Sequence, residues 1–491
     1  MPKDFEVLVT AEEAWPSFER AVLSAEKEVL AGFRIFDMRT RLRSDEGRAV
    51  GKDWFDLLEH VLRKGVSIDL AVSDFDPVMA TELHEMTWST VKQGAALREV
   101  SGAGPDQLSV RAVLHPARAG FLPWLAFLPK VLREKNRKLR RFSENRRKWQ
   151  AVGLSRTILP QMHTVSHHQK VAVIDGEVLY IGGLDLNERR YDTPAHDRPA
   201  HQTWSDIQLI LRGPEAQNAR RHLQTYEATT AGKIQAPACP HLKRTLSAPR
   251  RIQFPYISPR TLLSEIEEAH FNAFRKARHL ILIETQFLRS QRIADAMAAA
   301  AAKNTDLSSM IILPALPDDV AFENSDGLDA QYGMALQKEA LEKIIDAFGD
   351  RVTLATPVQP VLAARTGPAV HSGSPVIHVH NKLLLKDDDY ALVGSANLNG
   401  RSMRWDTEVA VEITRPERLS ELTTRIFRHW WQDALADVAV TPEGLQPSWH
   451  AEIIRNGVRL PQSRKGYLVP YDISRGSDMA QPLPGVTEDI V

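Results

Sequence analysis

One stretch of this chain occurs twice, and that repetition limits the folds open to it. Residues 168–187 read HQKVAVIDGEVLYIGGLDLN, and residues 380–399 read HNKLLLKDDDYALVGSANLN. Aligned without a gap, His168 falls on His380, Lys170 on Lys382, Asp175 on Asp387, Gly182 on Gly394, Asp185 on Asn397 and Asn187 on Asn399. Several polar identities in one register are not a chance match. In each copy His and Lys stand two apart and precede an apolar run, the pattern of a strand that carries both side chains on one face. A second apolar run, VLYIGG or YALVGS, reads as a neighbouring strand ending in a turn of small residues where a ligand can approach the backbone.

Two such units facing one another place two histidines, two lysines and an amide around one cleft. That set suits a phosphodiester. Lysine holds phosphate oxygens as a point charge, and histidine moves a proton near neutral pH. One histidine attacks phosphorus while the other protonates the leaving oxygen and then activates water. Lys170, Lys382, Asn397 and Ser395 are expected to meet the charge that develops on phosphorus. No metal or other cofactor is expected, because lysine is a poor ligand and no HExxH or paired Cys accompanies the histidines. Asp175 and Asp387 complete the motif, but their odd spacing from the histidine turns them off its face; they are read as holding turns or supporting the site. His163, His167 and His378 are read as neighbours.

At these residues the chain resembles the phospholipase D superfamily, whose duplicated HKD motif this is. The first copy, HHQKVAVIDGEVLYIGGLDLNERRYDTP, is most similar to phosphatidylcholine-cleaving phospholipases D, with GGLDL and a following RYD; the second, HVHNKLLLKDDDYALVGSANLNGRSM, has the general form. ILIETQF, within 281–287, resembles the IYIENQYF stretch of the same enzymes. The resemblance implies hydrolysis of the distal phosphodiester of a glycerophospholipid to phosphatidic acid through a phosphohistidine, with transphosphatidylation as a side activity. It assigns attack to His168 and acid–base work to His380. It also implies an acid downstream of each copy that orients that copy's histidine, here Asp206 and Glu408. Asp185 joins them as a supporting residue. Arg190, Tyr191 and Asp192 are expected to shape a headgroup pocket, with contact with choline and packing as the two readings of Tyr191 and Trp204. The rival readings are a cardiolipin synthase-like transferase, a nucleic-acid phosphodiesterase and a lipid-binding scaffold without activity.

Alternating helices and strands predict an α/β fold: two similar domains, each a mixed sheet flanked by helices, related by a pseudo-twofold axis with one site at their junction. The expected domains are 1–235 and 236–491, joined through the Pro-rich, basic stretch 232–251. Helix-then-strand patterns open both halves, at 11–38 and from 261. Gly65 is expected to stop a helix before a buried strand, and a helix around 332–348 to precede the strand RVTLATPV. The tail after about 465 carries no long periodic pattern, and its placement is left open.

Lys+Arg and Asp+Glu are both 62, so no global attraction to nucleic acid or membrane follows, and no nucleic-acid partner is expected. Any such attraction is local. Residues 121–149 hold the apolar FLPWLAFLPKVL and then nine basic residues, Arg133, Lys135, Arg137, Lys138, Arg140, Arg141, Arg146, Arg147 and Lys148, against Glu134 and Glu144. Contact with anionic lipid, a core-packed helix with a solvated basic face, and a nucleic-acid patch are the three readings of this insertion. A single cysteine, Cys239, excludes an internal disulfide. No apolar run is long enough to span a bilayer, and the N-terminus lacks the features of a secretory signal. A monomer, cytoplasmic or peripheral to a membrane, is expected, with signal-less export as the alternative.

Overall fold

The computed structural model describes residues 4–141, 159–323, 327–475, 480–483 and 487–490. Two mixed sheets, flanked by helices, form the α/β architecture. The first contains β1 (Phe5–Val9), β2 (Glu28–Phe33), β3 (Ser67–Asp74), β4 (Leu108–Leu114), β5 (Lys170–Ile174), β6 (Val178–Gly182) and β7 (Ile207–Arg212), in the order β1-β7-β6-β5-β2-β3-β4. The second contains β8 (Lys243–Ala248), β9 (Arg260–Ser264), β10 (Leu280–Thr285), β11 (Ser308–Ile312) and β12 (Val352–Pro357). After a small ribbon of β13 (Val370–His371) and β14 (Ser374–Pro375) it continues with β15 (Lys382–Lys386), β16 (Tyr390–Gly394), β17 (Glu408–Ile413) and β18 (Leu468–Pro470). Its order is β18-β12-β11-β10-β15-β16-β17-β8-β9. Stripped of β9 and β18 at its edges, the second sheet repeats the first strand for strand.

The registers repeat as well. Val171 of β5 pairs with Gly32 and Ile181, and Leu383 of β15, its counterpart, with Glu284 and Val393. In each half the motif strand is antiparallel to a central strand that starts a parallel βαβ series, as the helix-then-strand patterns predict. The helices Thr10–Leu23 and Glu265–Lys276 lead into those central strands. Gly65, at φ +91°, ends the helix before β3, a backbone conformation that costs glycine little. The predicted helix near 332–348 runs from Leu328 to Phe348.

β5 and β15 are buried along their whole length, which explains their continuous apolar character. Val171, Val173 and Leu179 of the first half share one core with Leu383, Leu385 and Val393 of the second, so the halves meet through apolar surface. Four backbone bonds stitch the junction in a reciprocal pattern. Ser205 N donates to His378 O (2.8 Å) and His380 N to Ser205 O (2.8 Å), while Thr407 N donates to Ser166 O (3.0 Å) and His168 N to Thr407 O (2.9 Å). Each motif histidine is therefore held by backbone of the opposite half.

The insertion forms a helix over Phe121–Arg141, joining the apolar stretch and the first basic residues in one element. Residues 142–149, with Glu144, Arg146, Arg147 and Lys148, lie outside the described residues. Of the tail, Leu468–Pro470 adds a strand beside β12, and Glu488 and Asp489 pair with Arg404. No helix among the described residues is long and apolar enough to cross a membrane.

Candidate active site

Both motif lysines begin their strands, and both histidines lie just before them at the junction. His168 Nδ1 sits 2.9 Å from Glu408 Oε1, and His380 Nδ1 sits 2.6 Å from Asp206 Oδ2. The two carboxylates thus serve crossed partners, which corrects the expectation that each acid orients the histidine of its own copy. The cause is the backbone stitching above: Asp206 and Glu408 follow the residues that pair with the other half's motif, so each carboxylate is delivered across the pseudo-twofold axis. With Nδ1 hydrogen-bonded to an acid, Nε2 of each ring is left to face a reactant.

Lys170 Nζ donates to His168 O (2.6 Å) and lies 3.2 Å from Nε2 of the same ring. Lys382 Nζ donates to His380 O in the equivalent way. Each ammonium has two further protons to offer a ligand. Ser395, expected to face phosphorus, instead donates its hydroxyl to the second oxygen of Glu408. Its counterpart Gly183 leaves no such room: a Cβ there would lie 2.2 Å from Asp206 Oδ1. Asp185 accepts from Ile35 N (2.9 Å) and lies 3.9 Å from the Arg34 guanidinium. Asn397 occupies the equivalent position, and its buried Oδ1 has no partner among the described residues.

Asp175 and Asp387 are elsewhere. Asp175 accepts the backbone N–H groups of Glu26, Lys27 and Glu28 at 2.8–2.9 Å, and Asp387 those of Arg278, His279 and Leu280 at 2.8–3.0 Å. They pin the starts of β2 and β10 from the far ends of the motif strands, about 17 Å along the strand from the lysines. Touching phosphorus is excluded for both, so they leave the catalytic set. Burial opposes ionisation of Asp175, but its three N–H donors outweigh that and hold its carboxyl below the usual range.

Burial dominates the electrostatics of the junction. It pushes both imidazoles well below their ordinary range, with the nearby lysines adding to the effect, and lifts Asp206 to about 7 and Glu408 to about 8. Lys382 is pushed down to about 7 and Lys170 is lowered, again by burial first. Lys382 acts on His168 and Lys170 on His380, so the two half-sites share one field. A low-dielectric site holding two amines, with further charge from Arg34 and Arg190, favours an anionic guest over water.

The aromatic candidates for choline do not present open faces. Trp204 is buried beneath the Arg190 guanidinium, 3.6 Å from the ring centroid, and packs against His378 and His380 at 4.7 and 4.6 Å. Tyr191 is covered by Arg43 at 3.9 Å and packs on Trp15. Both rings are taken by the protein's own cations, and Trp204 acts on the site by bracing His380.

Asp192 is wholly buried and accepts from Trp204 N (2.6 Å) and pairs with His196 (2.6 Å). From there a polar chain crosses the junction: His196 to His429 (3.2 Å), His429 to Ser205 (3.3 Å), Ser205 to Asn381 (3.2 Å), and Asn381 to Glu284, which also accepts from Trp430 Nε1 (2.6 Å). Sequence reasoning missed His196, His429, Asn381 and Glu284. The one available signal was a charged residue, Glu284, inside an otherwise apolar strand. His167 fixes the junction through Thr407 Oγ1 (2.8 Å). Among the described residues no group of three His, Cys, Asp or Glu side chains is arranged to hold a metal.

Residues 270–431 match the family described as "Cardiolipin synthase, PLD-like domain". Phospholipase D alpha 1 of Cynara cardunculus is 22% identical over 376 residues, covering 52% of this chain and 46% of that protein. Phospholipase D2 of Bos taurus is 23% identical over 359 residues, covering 51% of this chain and 38% of that protein. The chain therefore spans less than half the length of these relatives. The crystal structure of phosphatidylserine synthase from Haemophilus influenzae Rd KW20 shares the fold, with a TM-score of 0.50 at 12% identity over 87% of this chain and 85% of that one. The matched family, the phospholipase D relatives and the doubled motif agree: the chain belongs to the phospholipase D superfamily.

Proposed function

We propose that this protein is a phospholipase D, cleaving the distal phosphodiester of a glycerophospholipid. The observation that supports this best is the pair of crossed His–carboxylate bonds, His168–Glu408 and His380–Asp206, with both lysines in one buried junction. His168 Nε2 attacks phosphorus, and the headgroup oxygen leaves with a proton from His380 Nε2. The resulting phosphatidyl-His168 carries positive charge on its ring, which Glu408 offsets across Nδ1. His380, now neutral, takes a proton from water; the hydroxide attacks phosphorus, the P–N bond breaks, and phosphatidic acid departs. An alcohol in place of water yields a transphosphatidylation product by the same steps.

The substrate itself sets the protonation state. In the empty site burial and two lysines disfavour an imidazolium at His380. A bound phosphodiester brings the missing negative charge and draws a proton onto that ring. Lys170, Lys382 and the Asn397 side chain are the groups offered to the phosphorane.

The test is incubation with phosphatidylcholine, phosphatidylethanolamine, phosphatidylglycerol and single-stranded DNA, with chelator and ethanol present. Formation of phosphatidylethanol despite chelator is the expected result, and DNA cleavage alone would remove the reading.

A further inference from the structure

The insertion helix and a loop of the second half come together in a way the repeat does not require. Phe121, Leu122 and Leu125 on the first turns of the helix are about half exposed. Beside them Ile252, Phe254 and Tyr256 are exposed by 70%, 54% and 46%. The two segments are bonded directly: Leu122 N donates to Phe254 O (3.1 Å) and Gly120 N to Tyr256 O (2.8 Å). Phe121 stacks on Phe254 with centroids 5.7 Å apart, and the Arg250 guanidinium covers Tyr256 at 4.4 Å. At Gly120 the backbones meet so closely that a Cβ would lie 1.8 Å from Gln253 O. The apolar patch is therefore one surface built by both halves.

Its charge departs from that of the chain. Residues 116–140 and 250–260 contain ten Lys and Arg and a single carboxylate, Glu134, in a protein of zero net charge. Lys138 is buried against Val78 O and Thr81, and Arg137 is paired with Glu134. Arg118, Lys130, Arg133, Arg140 and Arg251 are exposed. Aromatic and aliphatic side chains with exposed cations close by in sequence, Arg118 and Arg251, and more along the same helix match a layer with an apolar interior and an anionic rim.

The surface is also tied to the site. Ala119 N donates to Met162 O (2.9 Å), Trp124 Nε1 to Pro160 O (2.8 Å) and Thr164 Oγ1 to Ile257 O (3.3 Å). The segment these bonds hold runs straight into His168, six residues beyond Met162, a path of at most about 20 Å when extended. An exposed aromatic surface at that distance from a site for lipid phosphodiesters has an evident use.

We propose that the surface formed by 118–133 and 250–256 docks the protein on an anionic bilayer, inserting Phe121, Leu122, Leu125, Ile252 and Phe254 among the headgroups and presenting the His168–His380 junction to the lipid layer. The inference rests on the proposed lipid substrate. Trp124, half-buried with its N–H committed, and Phe127, packed near Val78 and Val131, support the helix from within and stand outside the inserting face.

The test is co-sedimentation with vesicles of phosphatidylcholine alone and with one-third phosphatidylglycerol, alongside turnover of a water-soluble short-chain phosphatidylcholine below its micellar concentration. Three variants are compared with wild type: Ile252→Ser/Phe254→Ser on the loop, Leu122→Ser/Leu125→Ser on the helix, and Arg118→Gln/Arg251→Gln. Wild type is expected to prefer anionic vesicles. Each apolar pair should weaken vesicle binding about tenfold or more, and each arginine about fivefold at low salt, with melting temperature and soluble-diester turnover unchanged. Wild-type vesicle binding by both apolar variants overturns the proposal, as does equal affinity for neutral and anionic vesicles, or binding to DNA in preference to either. Failure of every form to turn over the soluble diester is a different outcome, which counts against the lipid-hydrolase reading whatever the vesicles show.

Discussion

Replacing Glu408 by Gln and Asp206 by Asn separates the two histidines' duties, because the acids cross between the halves. Each change replaces the carboxyl group of a hydrogen bond of 2.9 or 2.6 Å at the junction, where both acids are buried and can balance the cation that forms on the ring they touch. In a water-excluded site the loss of one such charge-matched interaction is worth about 3–4 kcal/mol, or 10²–10³ in rate. With a nitrophenyl ester, whose leaving group needs no proton from His380, the two losses fall on different steps. Without Glu408 the attacking ring His168 is less well oriented and the cation formed on it is less stabilised, so phosphoenzyme forms slowly and does not accumulate. Without Asp206 the ring that must activate water is impaired, so hydrolysis of the intermediate slows and labelled phosphoenzyme builds up. Quench-flow under alkaline conditions, with a short-chain phosphatidyl p-nitrophenol labelled in its phosphate, reads both. Accumulation in Asp206→Asn and none in Glu408→Gln is the expected pattern. The reverse pattern would refute the assignment, since it would mean that each acid serves its own copy or that His380 is the nucleophile.

Three other perturbations follow from burial and bonding. Lys382, pushed down to about 7, loses its proton in the empty enzyme above neutral pH, so inhibition by inorganic phosphate should weaken about tenfold per pH unit beyond it; constant affinity from pH 7 to 9 would contradict this. The unfolded chain holds that proton up to its ordinary 10.5, so this group's contribution to stability grows as pH rises between the two values. Glu284 has the opposite sign. Burial lifts its folded pKa from 4.5 to about 7, so its contribution is full below 4.5 and declines as pH rises to 7; thermal melts from pH 4.5 to 8 should show a fall in wild type that is smaller in Glu284→Gln, the remainder coming from Asp206 and Glu408, and an equal fall in both would contradict this. Asp387→Ala strips the acceptor from three backbone N–H groups and should cost about 3 kcal/mol, lowering the melting temperature by about 3 °C in a chain of this length. An unchanged melt would show that this carboxylate does not secure β10.

The site was legible in the sequence where local periodicity decides the geometry. His and Lys two apart on a strand must share a face, and two copies in register must build equivalent strands, so the pairing of His168 with Lys170 and of His380 with Lys382 followed from spacing. The odd count to Asp175 and Asp387 also sufficed to turn them from the histidines. The crossing of Asp206 and Glu408 was not legible, because nothing in the order of residues says which half's strand will lie against a loop. Ser395 was misjudged for a related reason. A hydroxyl two residues before Asn397 looks free in sequence, yet folding sets Glu408 beside it. For Tyr191 and Trp204 the sequence leaves choline contact and packing as equal readings, and the fold selects packing, with Arg43 on one ring and Arg190 on the other. The insertion helix shows the same limit, since its apolar run does not say that Phe121 and Leu125 stay exposed while Trp124 and Phe127 pack inward.

The account depends on both halves acting on one phosphorus atom. A crystal structure of the protein with bound vanadate tests this most directly. One anion is expected, with His168 Nε2 and His380 Nε2 on opposite sides of it and both lysine Nζ atoms within about 3 Å of its oxygens. Vanadate held by one histidine alone, or two anions at separate positions, would contradict the shared site.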